Sequence, residues 1–186
     1  METLQHLSMT ELGAGLETIR QSPNDNGILK MIVRRPDVDE REIVREGEIT
    51  LEDGLVGDTW KLRASRHTPD GLVSTQAQIT LMNARTVALL AQSEDRWPLA
   101  GDQLYVDLNL GEDNLPPGTR LAIGSAILEV SAQPHTGCQK FSARFGVQAL
   151  KFVNSAEGKR LHLRGINTRV VQAGKIKIGD ILRKVN

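Results

Sequence analysis

The sequence predicts a mostly β protein: a closed or partly open β-barrel carrying a few short helices. Three observations predict it. Apolar residues alternate over many short runs, glycine or proline turns punctuate those runs, and few stretches carry helical spacing. Frequent short strands around one core are the pattern of barrels and sandwiches, and the rhythm alone fits a two-layer sandwich as well. At 186 residues the chain is long enough for one domain with a sizeable core.

The elements follow in order. Residues 1–26 read as a helical lead-in, with MTELGAGLETIRQ giving apolar spacing and SPNDNG supplying turn formers; the barrel domain is expected over 27–186. GILKMIVRR reads as a strand, and REGEITLEDGLVGD as a short strand entering a glycine turn. The polar stretch TWKLRASRHTPDGLV (59–73) reads as a long loop of the kind that carries function. AQITLMNARTVALLAQSED changes period midway: Ile79 to Met82 predict a strand, and Asn83 then caps a helix carrying Val87, Leu89 and Leu90. QLYVDLNL places Leu104, Val106, Leu108 and Leu110 on one face of a half-buried strand. LPPGTRLAIGSAILEVSAQP gives two strands about a tight turn at Gly124–Ser125. FGVQALKFVNS sets Val147, Leu150 and Val153 on one helical side, and GINTRVVQAGKIKIGDILRKV closes the chain with three glycine-joined strands. Trp60 and Trp97 are expected to pack, and Asp58 and Asp180, each after a glycine, to cap turns.

Composition narrows the function. The first residues carry acids and no apolar h-region, so no secretory signal is expected, and no apolar run reaches the roughly 20 residues of a membrane span. With a single cysteine and no internal disulfide, the cytoplasm is the expected compartment. Four scattered histidines (His6, His67, His135, His162) match no common zinc spacing. Basic and acidic residues balance at 23 each, but after Cys138 eleven cations face only Glu157 and Asp180. Such a bias is either a solvated face or a site for a phosphate-bearing ligand. Nucleic acid is disfavoured, since 3% aromatic residues leave few platforms for bases.

Cys138 lies in PHTGCQKFSARFG (134–146), after a glycine and before Lys140 and Arg144. A lone cysteine is by default a small core residue, but a turn beside cations favours the reactive thiolate. Five stretches then align with a known family: GLVGD (54–58), QITLMNARTV (78–87), PGTRLAIGSAILEV (117–130), GCQKFSARFG (137–146) and RGINTRVVQAGKIKIGD (164–180). Together, over roughly residues 27–185, they resemble the MOSC domain, found at the C-terminus of molybdenum cofactor sulfurases and as free-standing bacterial proteins.

The resemblance implies a barrel-like β fold with one cysteine at the mouth of a pocket for the molybdenum cofactor (molybdopterin). Carried over by position, that role falls on Cys138, as a persulfide carrier or as a molybdenum ligand in an enzyme reducing N-hydroxylated compounds. Arg144 and Arg164 are candidates for the cofactor's phosphate or pterin oxygens, Arg66 and His67 for contacts from the long loop, and His135 for orienting or acidifying the thiol beside the cofactor. The chain departs from the pattern where Leu99-Ala100-Gly101-Asp102 stands in place of the arginine and asparagine of many members. One cysteine cannot ligate an iron–sulfur cluster, so sulfur or electrons must come from a partner protein. The rival from another class is a non-catalytic barrel that binds a phosphorylated ligand or a partner, its cysteine inert.

Overall fold

The computed structural model describes residues 5–63 and 69–186. Its strands are β1 (Gly27–Arg34), β2 (Glu42–Val44), β3 (Glu46–Thr50), β4 (Gly54–Leu55), β5 (Ile79–Asn83), β6 (Leu104–Asp107), β7 (Arg120–Ile123), β8 (Ala126–Val130), β9 (Ile166–Gln172), β10 (Gly174–Lys177) and β11 (Ile181–Val185). Seven of them close a barrel in the order β1-β11-β7-β8-β9-β5-β6, with β6 returning to β1 and β2 added beyond β1. Closure removes the sandwich alternative. A small sheet, β10-β3-β4, lies beside the barrel.

Strands β5 and β6 pair in parallel, whereas the other pairings among described residues are antiparallel. A parallel neighbour needs a crossover, supplied here by α3 (Ala84–Ala91) and a 3-10 segment at Glu94–Ala100. Asn83 caps α3 as the sequence predicts, its side-chain oxygen accepting from the backbone of Arg85 and Thr86.

Two apolar clusters explain which faces are buried. Leu29, Ile32, Leu81, Leu104, Val106, Leu128 and Leu182 fill the barrel. Met31, Val33, Met82 and Tyr105 point outward, beneath helices that contribute Leu12, Val87, Phe141, Phe145 and Phe152. Strand β6 is therefore buried on both faces, and the half-buried strand expected there is corrected: Tyr105, on its other face, is as inaccessible as Leu104. In β1 the parity changes at a bulge between Leu29 and Met31, so Leu29 points inward and Met31 outward although two residues separate them.

The helices α1 (Met9–Ala14), α2 (Leu16–Arg20), α4 (Gln139–Phe145), α5 (Val147–Asn154) and α6 (Ala156–Arg160) form with α3 the outer layer. Their large side chains hold them down, each burial contributing roughly 1.5–3 kcal/mol. The face expected for α5 is corrected in part. Val153 is buried and Leu150 packs half-buried as expected, but Val147 is exposed and Ala149 and Phe152 bury, because the helix leaves α4 at Gly146 (φ 94°) and turns that side to the layer. Among the described residues no helix is long and apolar enough to cross a membrane.

Candidate functional site

Cys138 stands at the N-terminal boundary of α4 with extended backbone (φ −126°, ψ −179°), makes no capping side-chain hydrogen bond and is exposed. Two contacts fix it there. Phe141 and Phe145 anchor the helix in the outer core, and Asn154 of α5 clamps the preceding residue, accepting from Gly137 N at 3.0 Å and donating to Gly137 O at 3.2 Å.

The cysteine opens onto a cleft of about 500 Å³. Six cations line it: Arg35, Arg41 and Arg63 from the first third of the chain, with Lys140, Arg144 and Arg164. Two carboxylates, Asp37 and Asp39, share the lining. Asp39 partly neutralises the rim, taking Arg144 at 3.0 Å and Lys140 at 3.8 Å. Even with Asp58 and Asp102 behind the arginines, cations remain in excess.

Four consecutive residues hold three of these arginines. Leu99 O accepts from Arg144 Nη1 (2.8 Å), Ala100 O from Arg164 Nη2 (2.8 Å) and Gly101 O from Arg35 Nη1 (3.0 Å), while Asp102 takes Arg164 Nη1 at 2.6 Å. The stretch Leu99–Asp102 is thus the hub of the cleft wall. Arg35 is locked further by a fork to Asp58, with Nε and Nη2 each at 2.7 Å. Asp58 also accepts from Trp60 N, the expected turn cap, so one carboxylate serves both purposes. Asp180 caps its turn through Lys177 N, and Trp60 is buried.

Asp102 also receives His135 Nε2 at 2.8 Å on its other oxygen. Burial would raise this carboxyl, but Arg164 and the His135 hydrogen bond outweigh burial and hold it at about 2. His135 moves below its usual range, because burial and the Arg164 charge act against the pull of Asp102. Burial first, then neighbouring arginines, likewise push Arg41 and Arg63 down, against the pull of Asp39 on both and of Asp58 on Arg63. Gly165 permits the close packing. Its φ is +106°, and a Cβ there would lie 2.3 Å from Leu81 O and 3.3 Å from the His135 ring.

The structure therefore brings Cys138, His135, Arg144 and Arg164 to one cleft. Arg66 and His67 lie outside the described residues. Arg164 is only 7% exposed, its Nη atoms engaged with Asp102 and Ala100 and its face over Phe141 at 5.0 Å, so it contributes charge and order more than an open fork. Most of the eleven cations after Cys138 lie elsewhere, whereas Arg35, Arg41 and Arg63 escaped the sequence reading. The signal for two of them was RRPDVDER (34–41), arginines clustered just where a strand ends. A second cleft of about 520 Å³ meets the first at His135 and Arg164.

Solved structures share this fold. The YUAD protein from Bacillus subtilis is 14% identical, with a TM-score of 0.64, covering 84% of this chain and 94% of that one. YiiM from Escherichia coli is 20% identical (TM-score 0.56; 86% and 70% covered), and YiiM from Geobacillus stearothermophilus 18% identical (TM-score 0.54; 88% and 75%). No curated protein matches the chain significantly. The model of the MOSC domain matches residues 68–183, a span that takes in β5, the Asp102 hub, Cys138 and Arg164. The chain belongs to the MOSC domain family.

Proposed function

We propose that this protein binds the molybdenum cofactor in the Cys138 cleft and acts with it in sulfur transfer or in molybdenum-dependent reduction of N-hydroxylated compounds. One observation carries the reading: the chain's single sulfhydryl opens onto a cleft lined by six cations. The residues fit the group. A phosphate-bearing pterin is anionic, and a cleft of about 500 Å³ lies within the roughly 300–1,000 Å³ of small-molecule sites. Arg41, Arg63, Lys140 and Arg144 would hold its phosphate and pterin oxygens, with Arg35 and Arg164 adding charge from behind. When bound, the cofactor supplies a metal–sulfur centre, for which Cys138 is a soft donor or the carrier of a sulfur atom. Cys138 is not sealed in the core, as an inert filler would be; its exposure leaves the sulfur open to ligand and to a partner that delivers sulfur or electrons.

Metal analysis of the protein produced in cells with and without cofactor biosynthesis tests this. Molybdenum near one atom per chain in the first preparation and none in the second is expected. Absence from both, with a phosphorylated ligand still bound in the cleft, would overturn the reading in favour of the non-catalytic barrel.

A further inference from the structure

The Asp102–His135 pair determines what the cleft can recognise beyond charge. An ionised carboxylate has no hydrogen to give, so its 2.8 Å bond to His135 requires Nε2 to carry the proton. Among the described residues, the charged groups that act on the ring are Asp102, Arg164 and Arg35, and the two guanidinium charges disfavour a second proton. A neutral imidazole with Nε2–H has a bare Nδ1. Among the described residues that nitrogen has no hydrogen-bond partner, and the His135 side chain is 19% exposed. His135 lines the cleft with Cys138. The carbonyls of residues 99–101 are engaged by arginines. The rim carboxylates Asp39 and Asp37 are each engaged through one oxygen, by Arg144 with Lys140 and by Val38 N, so His135 is the buried-side acceptor of the wall.

We propose that His135 makes the Cys138 cleft selective for anions that carry a hydrogen on oxygen or nitrogen, by presenting a bare Nδ1 whose tautomer Asp102 fixes. The arginines attract any anion of the right size. His135 then favours the one that can donate, so hydrogen phosphate is preferred to sulfate, a dianion of the same shape without a proton. Arg164 is the positioning residue, holding Asp102 from the far side.

The test uses the metal-free full chain and its single thiol as reporter. Alkylation of Cys138 by iodoacetamide is followed at about pH 8, where both anions are dianionic, against rising inorganic phosphate or sulfate at constant ionic strength. Phosphate is expected to protect Cys138 at concentrations about three- to tenfold below sulfate, the value of one hydrogen bond. In His135→Ala the two anions should protect equally. Nitrogen-15 NMR of the wild-type imidazole supplies a reading that needs no variant: Nδ1 unprotonated, and shifted by phosphate. Equal protection in the wild type, protection by neither anion, a preference that survives His135→Ala, or a proton on Nδ1 would each overturn the proposal. Because no molybdenum is involved, its failure and that of the proposed function are read separately.

Discussion

The cations of the chain's last quarter fall in two regions that differ in what stands behind each guanidinium. On the outer surface, Arg160 meets Glu157 and Asp113, and Arg169 shares Glu129 with Arg120, in pairs that water reaches. In the cleft, Arg164 and Arg144 are held by backbone carbonyls, Arg164 also by a carboxylate with no exposure and Arg144 also by the exposed Asp39 at the rim. Outer pairs neutralise themselves. The cleft arginines are fixed from behind by partners that leave a net positive face forward. Residue type is the same in both regions, so the difference is one of support, and it can be broken from the supporting side.

The largest effect is expected from Asp102→Asn. It leaves the buried Arg164 charge uncompensated and should lower unfolding free energy by about 3–5 kcal/mol, measured by urea denaturation. Glu129→Gln, which removes the partner of two outer arginines, should cost less than about 1 kcal/mol. Equal losses in the two variants would erase the distinction between the regions.

Acid should act on the same network. Asp102 is held at about 2 in the fold against about 3.9 in an unfolded chain, so its contribution is complete above about pH 5 and is lost as pH falls through 2, roughly 2–3 kcal/mol in all. His135 is shifted downward, so the unfolded chain takes up a proton that the native ring resists, and stability falls as pH drops below about 6.5. Urea midpoints against pH should show the upper step missing in His135→Gln and the lower one missing in Asp102→Asn. A wild-type profile flat from pH 7 to 5 would remove the His135 part.

Much of the barrel was legible because alternation and glycine turns are local signals. GILKMIVRR, the Gly124–Ser125 hairpin and the terminal strands reappear as β1, β7–β8 and β9–β11. Three features were not legible. The second buried face of β6 depends on helices from distant segments, the short β2 carries no period, and α4 hides behind its cysteine turn. At the site, Cys138 stood out by being single and flanked by cations, whereas the hub Leu99–Asp102 works mainly through carbonyl oxygens, which every sequence possesses. Arg35 is brought to Arg164 by barrel closure and by Asp58, contacts that no local pattern encodes.

A smaller effect separates Arg144 from Arg169. Arg144 is about a quarter exposed at the cleft and tied to the exposed Asp39, so Arg144→Ala should leave the fold nearly unchanged and raise the phosphate needed to protect Cys138 about tenfold. Arg169→Ala should not move that concentration. Matching responses would mean that the cleft attracts anions by the overall field and not by its own lining.

The smallest effect on stability is expected from Cys138→Ser, although it should be the most damaging to function. The side chain sits exposed at the start of α4 and makes no capping hydrogen bond, so exchanging sulfur for oxygen opens no cavity and strands no buried polar group. The melting temperature should stay within about a degree of the wild type. A serine hydroxyl is not a soft donor and cannot hold persulfide sulfur, so sulfur transfer or molybdenum-dependent reduction should fall to background while phosphate binding in the cleft persists. An inert cysteine packed for shape would give the opposite pair of results: a lower melting temperature, because a buried thiol would have become an unpaired hydroxyl, and undiminished activity in the folded fraction. A destabilised Cys138→Ser protein that keeps cofactor and activity would therefore assign Cys138 to the scaffold and leave the arginine cleft as the only functional feature of this wall.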